Sequence, residues 1–418
     1  MIERGRQFVE SLFKLAKKSD WNWRVCPYCG GYGNMNGSYT RRPWFMSGRV
    51  EMRIPRYLCT TCNKSWSRSD PRLVPGSWYA REVHRFGVDL YTHFGTSYRR
   101  AACLLRSLMG CQERWGLWYL LALRPRLRER CFFCASTLHR WRRRAGERAR
   151  RGMRGQLEGV ENSGQFATDG LWARLRGGVT KVLLTLVDTV TGVVWTTHVA
   201  EDENHAEAWE GLFRSAELAG LSLDDLEGIA SDGSQGLYSF LRAKQSRVHH
   251  QRCVWHYWRS LAGDVAKVIA GYDEEAKDEM ASHVNGLLHQ IIDATSYESA
   301  EEALQRLRDD PATELLAKKV NGQLDRLLYH LHPVHEGLVR TSPEWLWRDF
   351  RLHLSRGRNH GCDDRLAEAG ALWSVYRNFT PAQWRSEQKR EYKNPGRSPL
   401  QVAGAKPGEI SYLDALGV

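Results

Sequence analysis

No stretch of the 418-residue chain approaches the 18 or more consecutive apolar residues that a membrane-spanning helix requires. Residues 1–8 carry an acidic side chain and none of the apolar core of a secretory signal, so a cytoplasmic location is expected. Ten cysteines in such a compartment are not expected to form disulfides, because the thiols are kept reduced; metal binding or burial must account for them. The composition of a disordered chain is also missing, with 42% apolar and 26% charged residues. The length suffices for roughly two to four domains with proper cores.

Acidic residues are scarce in the first third. Residues 1–155 hold 32 Lys and Arg against 10 Asp and Glu, whereas residues 156–418 hold 29 against 38. A strongly cationic region beside an acidic one is the expected footprint of a phosphate-backbone binder joined to a metal-using core. Residues 156–339 are the most acidic part, with 16 basic and 29 acidic groups, which argues against extended DNA binding there.

Two Cys-x-x-Cys pairs, Cys26/Cys29 and Cys59/Cys62, flank a segment of strand character over 49–57. Each spacing lets two thiolates chelate one ion, and Gly30 and Asn63 permit the tight turns that aim backbone N–H groups at sulfur. Four thiolates in a tetrahedral array mean structural Zn²⁺, so this region reads as a zinc ribbon. Arg53, Arg56 and Lys64, with Arg41, Arg42 and Arg49 and the rings of Trp44, Tyr57 and Trp66, offer phosphate contacts and stacking faces. A third pair, Cys131/Cys134, has no further thiolate pair nearby and reads as buried thiols.

Residues 1–20 have the spacing of an amphipathic helix, as do 79–94 and 99–109. Ser136 is a candidate N-cap for a short basic helix carrying Arg140, Arg142, Arg143 and Arg144. Such a helix resembles the second helix of a helix-turn-helix, which lies in the major groove of double-stranded DNA. The run from Arg148 to Arg154 reads as a basic linker.

The centre of the chain is organised around two carboxylates. Residues 165–172 end an apolar run on Asp169-Gly170, and a strand meander follows over 181–188 and 192–199, turning at 189–192. Helical spacing over 205–218 leads to a short apolar strand ending at Asp232-Gly233, with a helix beginning near Ser234. Two aspartates at the ends of neighbouring strands suit Mg²⁺ or Mn²⁺, which take one or two carboxylates and keep other ligands for water and phosphate oxygens. From 261 to 332 the pattern is helical throughout, and 393–404 reads as a loop with two prolines.

That order of elements is an RNase H-like order, and Cys253-x-x-His256 follows the second Asp by about one helix and one strand. The pair resembles the Cys-x-x-His signature of Mutator-like and IS256-like transposases. Residues 340–351, Arg-Thr-Ser-Pro-Glu344-Trp-Leu-Trp-Arg-Asp-Phe-Arg, are similar to the block in which those enzymes carry a third acidic residue. The usual paired asparagines, or an apolar residue between Pro and Glu, are missing from this block. The resemblance implies a DDE transposase of an insertion sequence. Asp169, Asp232 and Glu344 would hold Mg²⁺, His256 would stand beside the metals or DNA, and Arg348 and Arg351 would meet phosphate. Glu344 is preferred over Glu336 and Glu368 because Pro343 suits the first turn of a helix that would project it toward the strand ends.

The expected fold class is therefore α/β. An N-terminal helix and zinc ribbon occupy 1–75 and a helix-turn-helix-like region 76–155. An RNase H-like core covers 156–260 and 336–380, interrupted by an all-α insertion at 261–335, and a tail follows at 381–418. The resemblance implies action on transposon ends and target DNA as a homodimer or higher oligomer. Another RNase H-like nuclease or resolvase, or a transposase-derived DNA-binding regulator, are the alternative readings.

Overall fold

The computed structural model describes residues 24–67, 70–109, 133–335, 338–343, 347, 350–351, 360–381, 396–405 and 410–418. The helix expected over 1–20 lies outside them, as do Cys131, Glu336, Glu344 and Arg348. The chain divides between Arg142 and Arg143 into two compact units.

The first unit opens with a three-stranded antiparallel sheet. β1 (Gly33–Arg41) pairs with β4 (Met52–Cys59), and β4 with β5 (Ser65–Ser67). Between β1 and β4 lies a small hairpin of β2 (Trp44–Phe45) and β3 (Gly48–Arg49). α1 (Arg81–Thr92) and α2 (Tyr98–Leu108) follow. α2 starts where the Ser97 side chain accepts a hydrogen bond from the Arg100 amide, satisfying one of the N–H groups a helix leaves open. Val83, Leu105, Leu138 and Trp141 are buried here, and His84 stacks on Trp141 with ring centroids 3.6 Å apart.

α3 (Ala135–Gln156) is a single 22-residue helix. The expected short helix capped by Ser136 is thus replaced by one that begins a residue earlier and continues through the stretch read as a linker. The physical reason is a buried stripe of Leu138, Trp141, Ala145, Ala149 and Met153, three or four residues apart, which the arginine run between them obscures.

The second unit is built on a five-stranded sheet in the order β10-β9-β6-β7-β8. β6 (Gln165–Arg174), β7 (Thr180–Asp188) and β8 (Val194–Ala200) form an antiparallel meander. Asp188 closes its turn by accepting from the amides of Val190 and Thr191. α4 (Ala206–Ala219) leads to β9 (Gly228–Ser231), and α5 (Gln235–Lys244) leads to β10 (His249–Arg252). β9 runs parallel to β6, and β10 parallel to β9, as crossovers through helices require. The central strands are buried on both faces. Ala167, Leu171, Leu183 and Val194 pack with Leu366, Ala369 and Trp373 of α12 (Asp363–Phe379, numbered after the helices below) and with Trp347 and Phe350.

Between β10 and α12 the chain is helical: α6 (Val254–Ser260), α7 (Ala262–Ile269), α8 (Lys277–Ile292), α9 (Tyr297–Asp309), α10 (Glu314–Asn321) and α11 (Leu324–Leu328). They enclose their own core of Val284, Leu288, Ile291, Ala303, Leu307 and Leu328, and the Tyr257 hydroxyl donates to the Lys319 carbonyl at 3.1 Å. In the tail, part of the expected loop is instead a short helix, α13 (Pro399–Val402). Ser398 and Gln401 form a reciprocal capping box there, with Pro399 in the first turn. α14 (Tyr412–Ala415) has a box of the same kind from Ser411 and Asp414, and Arg148 binds the carbonyls of Leu416 and Gly417.

Candidate functional site

In the first unit, the ligand atoms of Cys26, Cys29, Cys59 and Cys62 all lie within 4.8 Å of one another. The sulfurs of Cys26 and Cys62 are 3.7 Å apart, and those of Cys29 and Cys59 3.5 Å. A tetrahedron with Zn–S bonds of about 2.3 Å has edges of roughly 3.8 Å, so the four thiols fit a zinc ion. Backbone amides complete the fit: Tyr28 N–H points at Cys26 Sγ, and Thr61 and Cys62 N–H at Cys59 Sγ, each at 3.4 Å. Asn63 supports this by its left-handed backbone, φ 57°, and Gly30 by φ 72°. The Cys62 amide, with that of Thr61, draws the Cys59 thiol down to about 6.

In the second unit, the sheet register brings the two aspartates together. Gln165 pairs with Gly228, Phe166 with Ile229 and Ala167 with Ala230. Continuing that register by two residues sets Asp169 beside Asp232. On the other side of β9, Arg252 pairs with Ser231, and the Cys253 amide donates to the Ser231 carbonyl at 2.6 Å. On these three neighbouring parallel strands Asp232 and Cys253 directly follow the last residues of β9 and β10, whereas Asp169, expected at a strand end, lies in the middle of β6, which stays paired with β7 as far as Arg174.

The electrostatics record this crowding. Asp169 is only 8% exposed, and burial, with the Asp232 charge second, raises its carboxyl to about 7. Its Oδ1 accepts from the Gly170 amide at 2.9 Å. His256, in the turn after Cys253, is raised first by its hydrogen bond with the Cys253 thiol, and further by the two aspartates. Burial is the largest influence on Cys253 and works to raise it, yet the hydrogen bonds with the His256 ring and with the His256 and Ser342 amides together outweigh it and the thiol is lowered. Both shifts favour the thiolate and the imidazolium, the second with a contribution from the two aspartates. Ser342 Oγ lies 3.3 Å from His256 Nδ1, and the Val254 amide donates to the Arg340 carbonyl at 3.0 Å.

Residues 172–331 of this unit match the family model described as Transposase, Mutator family. Over that span the chain is similar to the Mutator-family transposases. The match takes in Asp232, Cys253 and His256 and begins three residues after Asp169. It supports a transposase function, and with it DNA as the partner. No curated protein matches the chain. No described helix is long and apolar enough to cross a membrane.

Two charged residues of the second unit escape sequence reasoning. Glu203, in the loop between β8 and α4, accepts from the Trp172 indole at 3.1 Å, and its other carboxylate oxygen lies where a Cβ on Gly170 would be. Burial, then the Asp232 charge, raises its pKa. Its carbonyl accepts from Ser234 Oγ and from Trp209 Nε1, tying this loop to the turn that carries Asp232. Arg252 likewise lies over Gly233, where a Cβ would come within 2.7 Å of Nε, and stacks on Tyr257 at 4.5 Å. Neither Asp-Gly is therefore merely a turn. Each glycine leaves room for a charged side chain to reach the strand ends. The carboxylates are looser than the thiols, since among the described residues the four cysteines are the ones that bring three or more ligand atoms within 4.8 Å.

The expected DNA-contacting side chains are distributed unevenly. Arg53 and Arg56 are exposed on β4, and exposed Lys64 sits over the Tyr28 ring at 5.1 Å. Arg140 and Arg144 are exposed on α3 and Arg351 is exposed, whereas Arg143 pairs with Glu147 at 2.9 Å. Arg142 is 2% exposed with its guanidinium over Tyr91, which makes it a packing residue. Glu368, the rival to Glu344, is buried and bound to Arg365 at 2.6 Å, with Arg143 3.7 Å away.

Proposed function

We propose that this protein is an insertion-sequence transposase with an RNase H-like catalytic core, which cuts DNA at the element's ends and joins the freed 3′-hydroxyl to target DNA. The observation that carries the reading is the register of β6 and β9, which sets Asp169 beside Asp232 within and next to the region of family resemblance. The strand order, three antiparallel strands followed by two parallel ones on the far edge, supports the RNase H-like assignment. The helices between β10 and α12 have a core of their own, consistent with an insertion into that fold.

Hard carboxylate oxygens on two neighbouring strands suit Mg²⁺ or Mn²⁺, which would supply Lewis-acid stabilisation of attacking and leaving oxygens in phosphoryl transfer. Asp169 and Asp232 would hold the cation, with Glu344 as the third ligand. The contact of Ser342 with His256, two residues before Glu344 in sequence, supports that choice. Glu203 adds negative charge beside Asp232, and the imidazolium of His256 offsets part of it and can face a scissile phosphate. The zinc ribbon and the exposed arginines of β4 and α3 would bind double-stranded DNA, and the full reaction needs at least two copies of the chain to hold two ends.

The test uses pre-cut duplexes carrying the terminal inverted repeats that flank the gene. Wild-type protein with Mg²⁺ should join their 3′-hydroxyls to a plasmid, and Asp169→Asn, Asp232→Asn and Glu344→Gln should each reduce joining by several orders of magnitude while binding survives. Cleavage without joining would assign the chain to the nuclease class, and binding without either would make it a regulator.

A further inference from the structure

We propose that a cleft in the first unit, between the end of β1 and the segment leading into α1, binds an unpaired nucleotide of a DNA strand, with the base stacked on Trp78 and the phosphates on Arg41, Arg42 and Arg49. It rests on the reading of the chain as a DNA-processing protein but is independent of the carboxylate site.

The cleft has a volume of about 590 Å³ and is lined by Tyr39, Arg41, Arg42, Arg49, Ser77 and Trp78, among others. That volume is in the range of sites for drug-sized ligands, about 300–1,000 Å³, and holds roughly one or two nucleotides rather than a duplex. Its walls are fixed. The Trp44 amide donates to the Trp78 carbonyl and the Ala80 amide to the Trp44 carbonyl, both at 2.8 Å, which joins the 78–80 segment to β2. Ser77 Oγ accepts from the Tyr79 amide and meets His84 Nε2 at 2.8 Å, anchoring the same wall to α1. Arg41 donates to the Ser77 carbonyl across the cleft.

The chemistry of the lining selects a nucleotide. Three arginines and no acidic residue line the cleft. Arg49 is held by the Arg42 carbonyl and lies over the Trp44 ring at 6.0 Å. Arg42 is engaged by Glu51 at 2.8 Å, but both side chains are well exposed, so a phosphate can replace that partner at little cost. Trp78 is 55% exposed and Tyr39 41%, so both rings are open to a ligand in the cleft. A flat aromatic face beside several arginines is the combination with which proteins hold single-stranded nucleic acid, the base by stacking and the backbone by charge. Duplex DNA buries its base faces in its own stack and cannot use Trp78. An unpaired base, as at a frayed or overhanging DNA end, can.

The experiment is fluorescence anisotropy of the full chain, without divalent cation, on two labelled duplexes of the same sequence, one blunt and one with a short 3′ or 5′ overhang. Wild-type protein should bind the overhang form roughly 5- to 100-fold more tightly, the worth of one stacked base. Trp78→Ala should abolish that preference and leave the affinity for the blunt form unchanged, and Trp78→Phe should retain most of it. Equal affinity of the wild type for the two forms overturns the proposal, as does a Trp78→Ala variant that weakens both alike. Failure to bind either duplex would instead count against the DNA-processing reading itself.

Discussion

Asp169→Asn should stabilise the cation-free protein, and increasingly so as the pH rises. The buried carboxyl is moved from its ordinary value of 3.8 to about 7 by burial and by Asp232. A folded-state pKa above the unfolded one means that the folded chain holds the proton more tightly. The corresponding stability is complete below about pH 4 and is lost progressively until the pH passes about 7. Each tenfold difference in proton affinity is worth about 1.4 kcal/mol, so the ionised carboxylate costs the fold several kcal/mol at pH 8 and about a third as much at pH 5. Asparagine cannot ionise, and its Oδ1 can still accept from the Gly170 amide. For a unit of this size the variant should melt about 10 °C higher at pH 8, and about a third of that at pH 5. Added Mg²⁺ should raise the melting temperature of the wild type much more than that of the variant. The assay is thermal unfolding in Mg²⁺-free buffer across pH 5–8. A variant that is less stable than wild type, or a difference that does not grow with pH, would refute the argument.

Three further outcomes are expected. Cys59→Ser should cost the first unit its zinc and its share of DNA affinity while the second unit stays folded; metal analysis and limited proteolysis read both. Gly170→Ala should destabilise the second unit by about 1–3 kcal/mol, because its methyl meets the Glu203 carboxylate and, at 2.8 Å, Val182 Cγ2, and adding Glu203→Ser should restore only part of the loss in urea unfolding. Cys253→Ala should lower the pKa of His256, since the thiol is the largest influence holding it up; titration of the imidazole by NMR checks this, and an unchanged value would place the cause elsewhere.

Much of the core was legible because its signals are local. The apolar run before Asp232-Gly233 gives a strand end, although the one before Asp169-Gly170 does not, since β6 continues to Arg174; helical spacing over 205–218 gives α4, and paired Cys-x-x-Cys motifs give a thiol cluster. What pairs with what is not local. That Asp169 and Asp232 share a register depends on β9 lying parallel to β6, which the order of elements suggests but no residue states. Glu203 was illegible because it sits in Glu201-Asp202-Glu203, three acids in a polar loop that look alike. Packing alone distinguishes them: Asp202 binds His205 at 3.0 Å, Glu201 pairs with Lys181, and only Glu203 turns toward the strand ends. Arg142 misled for the same reason, as one of three consecutive arginines of which one happens to face inward. In α3, the basic run dominated the eye while the small apolar residues beneath it carried the helix.

The closeness of Gly170 and Glu203 has a consequence for inheritance. The two positions are 33 residues apart in the chain yet compete for one volume, so neither can change freely without the other. A descendant acquiring alanine at 170 must first, or at once, shorten the side chain at 203, and a lineage that loses the glutamate is only partly released, since Val182 on the neighbouring strand still stands 2.8 Å from the added carbon. Related chains should therefore show the two positions drifting as a pair, even where Asp169 beside them never moves.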